Sequence, residues 1–154
     1  MEHHKRLEYC RTRLQYRQGR DLKAVKVYTV ASESRYLLVF GVPRINLQAN
    51  IKNKLQLFGK LQSITCVTSE MAAIMELEAF TDVYKVIFYK LENARRAKRK
   101  LDATEFYGGI LHISYAPENE TTFDLCQKIQ QRRKEVAFRI QYNKRNRTDT
   151  TYQS

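Results

Sequence analysis

Two passages from strand-like alternation to helical spacing constrain the fold of this chain more than any other feature. In the first, the apolar run YLLVFGVP over 36–43 closes on Gly and Pro, as a buried strand ending in a turn does. Leu47, Ile51, Leu55 and Phe58 follow at helical spacing with Asn, Lys and Gln between them, and Gly59 stands where that helix should stop. In the second, VYKVIFY over 83–89 puts Tyr84, Val86 and Phe88 on one face of a strand, and Leu91, Ala94, Ala97 and Leu101 then line one side of a helix. Between the two, LQSITCV at 61–67 is β-branched enough for a strand. TSEMAAIMELEAF at 68–80 is an acidic connection longer than a hairpin needs. Gly108 and Gly109 turn the chain into ILHISYA at 110–116, a last strand ended by Pro117.

The order βαββαβ predicts an α+β fold of the ferredoxin-like kind, with two helices on one face of a four-stranded antiparallel sheet and the other face open. That domain should occupy 35–117, after a basic N-terminal extension at 1–34. Thr121 with Asp124 resembles a capping box opening a C-terminal helix over 118–141. Cys126, Ile129, Val136 and Ile140 recur along it at helical spacing, interrupted by Arg133. Such a stripe has to be buried, against the sheet or against a partner. The polar stretch 142–154 should be disordered in isolation.

Charge narrows the function. The chain carries a formal net charge of +12 with a pI near 9.8, spread as +5 over 1–35, +4 over 36–117 and +3 over 118–154. A field of that sign favours polyanions, nucleic acid ahead of an acidic membrane or an acidic protein. No stretch approaches the ~20 consecutive apolar residues of a membrane span, and the charges of MEHHKRLEYCRTRL have no apolar run behind them, unlike a secretory signal. Cys10, Cys66 and Cys126 are odd in number and scattered, which fits neither a disulfide framework nor a zinc site and suits a reducing compartment. His3, His4 and His112 fall near no Ser, Cys or acid at catalytic spacing, and there is neither a phosphate-cradling Gly loop nor a pair of metal ligands. The chain therefore reads as a binding protein and not an enzyme, with no cofactor and no metal.

GVP after an apolar strand, FGKLQSI, VIFYKLENARRAKRKLD and FYGGILHISYAPE together resemble an RNA-recognition motif. In that family exposed aromatics of a hexamer on strand one and an octamer on strand three stack RNA bases, each ring contributing roughly 1–3 kcal/mol. The octamer here is Thr81–Phe88, TDVYKVIF, whose stacking positions fall on Val83 and Lys85. In the hexamer, Leu37–Val42, the position falls on Leu38. The expected rings are absent, and Phe88 matches a position that packs the core. A closer resemblance spans residues 3–138. HHKRLEYCRTRLQYRQGRDLKAVKVYTVASESRYLLVFGVP, with TDVY and FYGGILHISYAPENET, is similar to the RNA-binding protein 48 family. That resemblance implies a nuclear splicing factor of the minor spliceosome, which contacts small nuclear RNA near its 5′ end together with an armadillo-repeat protein.

Alternation places Leu38, Phe40, Val83, Lys85, Ile87, His112 and Ser114 on the open face, which is too apolar for water yet poor in rings. Either Phe40, Lys85 and His112 touch RNA with help from the flanks, or an extension or partner covers the sheet. AVKVYTV at 24–30 alternates and would set Lys26 and Tyr28 beside the sheet. Arg11, Arg13, Arg17 and Arg20 lie among Tyr9 and Tyr16, and Arg and Tyr can both stack on bases while Arg also grips phosphate; the bland alternative is a solvated basic helix. The candidate RNA-contacting residues are thus Arg11, Arg13, Tyr16, Arg17, Arg20, Lys26, Tyr28, Arg35, Leu38, Phe40, Lys85 and His112. Cys126, Ile129, Arg133, Val136 and Ile140 are the candidate partner-binding residues. ARRAKRK, 94–100, could be a phosphate or nuclear-import cluster but reads better as the wet side of a helix. The alternative function is a variant of the fold that binds a spliceosomal protein and little or no RNA. One such variant grips a tryptophan-bearing peptide through an Arg-x-Phe loop before strand four, where this chain has Glu105, Phe106 and Tyr107 and no Arg.

Overall fold

A computed structural model describes residues 2–6 and 28–151, with side chains through 147. Its elements are β1 (Tyr36–Pro43), α1 (Gln48–Gln56), β2 (Leu61–Cys66), α2 (Thr68–Ala72), β3 (Thr81–Phe88), α3 (Leu91–Leu101), β4 (Glu105–Phe106), β5 (Gly109–Ile110), β6 (His112–Tyr115) and α4 (Thr122–Thr151), with short 3-10 turns at Glu2–His4 and Pro117–Asn119. Residues 1–119 form one compact unit and 120–154 a second.

The sheet of the first unit runs β2-β3-β1-β6, all antiparallel. Putting β1 and β3 in the centre follows from composition, because only these strands are apolar on both faces. One face meets α1 and α3. There Leu37, Val39, Val86, Phe88 and Ile113 pack with Ile51 and Leu55 of α1 and Ala94, Ala97 and Leu101 of α3. The small Ala side chains bring α3 close to the sheet, and its spacing of apolar residues is the one the sequence predicts.

Three features differ from the sequence reading. The connection 68–80 contains α2, and Val67 and Met71 are buried with Met75 and Leu77 packed beside them. The last strand begins at His112, because Gly109–Ile110 pairs with Glu105–Phe106 as a separate hairpin. This hairpin lies so close to β1 that a Cβ on Gly41, whose φ is +81°, would stand 2.2 Å from the Ile110 carbonyl oxygen. Pairing of β1 with β3 shifts register at that point, between Val39 and Val42. Finally, α4 continues past residue 141 to Thr151, through the stretch expected to be a disordered tail.

The second unit begins with the capping box that the sequence predicts. Thr121 N–H donates to Asp124 Oδ2 at 3.1 Å, and Asp124 N–H donates back to Thr121 Oγ1 at 3.2 Å. Lys128 Nζ then reaches both carboxylate oxygens of Glu120, at 3.0 and 2.8 Å.

Candidate nucleic-acid interface

The sheet face opposite α1 and α3 is closed. Leu38 is 2% exposed and Phe40 8%, and both join Tyr36, Val67, Met71, Val83 and Ala116 in a second core cluster. Part of the cover is the α2 segment, pinned to β3 where Val67 N–H donates to the Val83 carbonyl at 2.8 Å and Val83 N–H donates to Thr68 Oγ1 at 3.0 Å. This corrects the expectation of an open platform: the face is covered, but largely by the 68–80 connection, where the sequence reading offered an extension or a partner. Leu38 and Phe40 could meet a base only after the cover left. Lys85 on β3 is half-buried, paired across the sheet with Leu38 and Thr65.

The end of the same face is occupied by the first residues of the chain. His4 is fully buried, with its ring 6.1 Å from that of Phe40. Its Nδ1 lies 2.6 Å from Ser114 Oγ, and its Nε2 meets the Glu118 carboxylate, which His3 Nε2 also reaches at 3.1 Å. Burial pushes the His4 imidazole below its ordinary range, against the opposing pull of Glu118. His112 is committed here too. Its Nε2 donates to the His4 carbonyl at 2.7 Å, and its Nδ1 lies 3.5 Å from Asp102 Oδ1. Burial of the Asp102 carboxyl opposes ionisation, but His112, Lys98 and the Ile113 N–H outweigh it and hold the group down at about 2.

The cations of α3 follow the bland reading in part, Arg96, Arg99 and Lys100 being exposed and Lys98 not. Ala94, Ala97 and Leu101 face inward, and Arg95 pairs with Glu33 at 2.5 Å. Lys98 is itself buried, its Nζ donating to the Ile113 carbonyl at 2.6 Å and lying 5.3 Å from the centre of the Tyr28 ring. Tyr28 packs edge-on to Tyr115, with centroids 4.9 Å apart, so it belongs to the helix-side core.

A different basic surface gathers at the end of the sheet where β1 and β2 begin and β3 stops. Phe88 N–H donates to the Arg35 carbonyl at 3.0 Å and Tyr89 N–H to the Lys60 carbonyl at 3.2 Å, which sets Arg35, Lys60, Tyr89 and Lys90 side by side. Lys60 Nζ lies 5.1 Å from the centre of the Tyr89 ring, and that ring is 54% exposed. Arg96 adds a guanidinium, donating to the Phe58 carbonyl at 3.1 Å. Arg35 donates to Gln62 Oε1 at 2.6 Å and to the Phe88 carbonyl at 3.1 Å. Cations around an exposed ring can hold phosphate and stack a base. Of this group the sequence reading singles out Arg35 as a contact residue and Arg96 within the 94–100 run. Lys60 sits outside any periodic face, and only strand register brings it beside Tyr89 and Lys90.

Arg11, Arg13, Tyr16, Arg17, Arg20 and Lys26 lie outside the described residues. On α4, Cys126, Ile129, Arg133, Val136 and Ile140 are all exposed along one side. A recess of about 320 Å³ lies between α1 and the β4–β5 hairpin, where Asn50 Nδ2 donates to the Tyr107 hydroxyl at 2.8 Å and Lys54 Nζ stands 5.3 Å from the Phe106 ring centre.

No family model matches the chain. Over 140 residues it is 45% identical to RNA-binding protein 48 of Danio rerio, an alignment covering 91% of this chain and 37% of that one. To RNA-binding protein 48 of Homo sapiens it is 41% identical over 132 residues, 86% of this chain and 35% of the other. The chain thus spans little more than a third of the length of these relatives. Solved structures similar to it include Pes4 RRM3, at 16% identity and TM-score 0.45 over 56% of this chain and 96% of that one. Another is the Rna15 RRM with bound RNA (GU), at 14% and TM-score 0.45 over 58% and 89%. The strand order β2-β3-β1-β6, with two helices on one face, is the ferredoxin-like arrangement of an RNA-recognition motif, and along most of its length the chain is a homologue of the proteins named RNA-binding protein 48.

Proposed function

We propose that the chain is an RNA-binding splicing factor of the minor spliceosome, acting in the nucleus on small nuclear RNA near its 5′ end. The observation that carries the RNA-binding part is the 45% identity to RNA-binding protein 48 over 91% of this chain. The net charge of +12 supports it independently. With the sheet face covered, RNA is held by charge and peripheral rings. The surfaces that do so are the Arg35, Lys60, Tyr89 and Lys90 cluster and the lead-in cations Arg11, Arg13, Arg17, Arg20 and Lys26 with Tyr16. The armadillo-repeat partner takes the exposed side of α4 that carries Ile129, Val136 and Ile140.

Crosslinking in nuclear extract, with sequencing of the attached RNA and peptide, tests this. Recovery of a small nuclear RNA on peptides containing Lys60, Tyr89 or the lead-in is the expected result. A second reading is favoured by the covered face itself, since a domain with no stacking platform is suited to binding protein alone. Under that reading the crosslinks carry protein and no RNA.

A further inference from the structure

We infer that His3, His4 and Glu118 form a binding site for one divalent transition-metal ion, zinc being the member of that class that fits best. One ligand-capable atom from each residue, an imidazole nitrogen of each histidine and a carboxylate oxygen of Glu118, lies within 4.8 Å of the other two. Tetrahedral zinc, with bonds of about 2.0–2.2 Å, sets its ligand atoms about 3.3 Å apart. His3 Nε2 and Glu118 Oε2, at 3.1 Å, already stand at that separation. His3, whose side chain is 40% exposed, can adjust the remaining edges by a small side-chain rotation while keeping Glu118 within reach.

The surroundings are those of a held ligand. His4 is fully buried, and its Nδ1 lies 2.6 Å from the hydroxyl of Ser114, which is also buried. Without an ion Nε2–H donates to Glu118; an ion that replaces this proton leaves the tautomer whose Nδ1–H donates to the Ser114 hydroxyl, the arrangement by which an outer-shell partner orients a metal-binding imidazole. His112 fixes the same residue from behind through its bond to the His4 carbonyl at 2.7 Å. The flank carrying His3 faces solvent, which gives the ion an entry and leaves a fourth position for water.

Donor chemistry selects the ion. Two imidazoles with one carboxylate suit zinc and its transition-metal neighbours, whereas calcium and magnesium prefer sites built wholly from oxygen. Bound there, the ion staples the first turn of the chain to the turn leaving β6, across the end of the sheet that Phe40 and His112 line. Sequence spacing conceals the site because the third ligand lies more than a hundred residues from the first two.

The test uses the full chain without a polyhistidine tag, equilibrated with zinc chloride, dialysed and analysed for metal, and then repeated with cobalt(II) for its visible spectrum. About one zinc per chain is expected, with cobalt d–d bands of a nitrogen and oxygen site. His3→Ala and Glu118→Gln, both at partly exposed positions, should each weaken zinc by more than the roughly 10- to 100-fold typical of losing an outer-shell partner, while circular dichroism shows the fold intact. Failure to retain stoichiometric zinc overturns the assignment. So does zinc that survives both substitutions, or a thiolate charge-transfer band, which would place the ion on the cysteines.

Discussion

The Val83 N–H donates to the Thr68 hydroxyl at 3.0 Å, a bond that ties the cover of the sheet to the central strand beneath it. The same hydroxyl donates to Asp82 Oδ1 at 3.1 Å. Thr68→Val keeps the shape but strands the Val83 N–H in a partly buried position. The expected loss of stability is about 1–3 kcal/mol, read as a lower urea midpoint at unchanged slope. An unchanged midpoint would mean that the α2 segment is held by its Met and Leu side chains alone.

Leu38 separates a stacking platform from a core. Leu38→Ala should cost about 2–5 kcal/mol of stability, because it empties space inside a packed cluster. RNA affinity measured on the folded fraction should stay the same. A fall in affinity with little loss of stability would instead place RNA on this face.

Salt dependence tests the proposed basic surface. Binding of single-stranded RNA should weaken as salt rises from ~50 to ~200 mM, and the slope of log affinity against log salt should fall by about 0.7 for each phosphate contact removed. Lys60→Ala and Lys90→Ala are expected to reduce that slope, whereas Tyr89→Ala should lower affinity by roughly 1–3 kcal/mol at nearly constant slope. Equal behaviour of all three variants and the parent would clear this surface of RNA.

Asp102 makes part of the stability depend on acid. Its folded value near 2 lies below the ordinary carboxylate range, so below that range the unfolded chain binds more protons, and stability rises with pH between about 2 and 4. The contribution, reduced by partial solvent exposure, is on the order of 1 kcal/mol. It is fully present above pH ~4 and lost as pH falls towards 2. Asp102→Asn should flatten that part of the stability profile while leaving its neutral arm level, as followed by thermal melts across the acid range.

The exposed side of α4 should separate protein binding from RNA binding. Ile129→Glu combined with Ile140→Glu leaves an exposed helix intact and is expected to abolish capture of an armadillo-repeat partner, with RNA affinity unchanged. Loss of RNA by the same variant would assign α4 to the nucleic acid.

By itself the sequence determined the repeating local units: β1, β3, the helical faces of α1 and α3, and the Thr121–Asp124 cap. All of these depend on residues within a turn or two of one another, where spacing alone dictates which side chains share a face. It also determined the excess of positive charge. Tertiary structure decided the rest. Whether Leu38 and Phe40 meet RNA or a cover depended on where the α2 segment lay, and a single turn of helix carries too little periodicity to read. Lys60 and Tyr89 became neighbours through strand register, and His4 found Ser114 and Glu118 across more than a hundred residues of chain. Contacts of that kind leave no trace in local spacing, because their partners are chosen by the packing of the whole sheet.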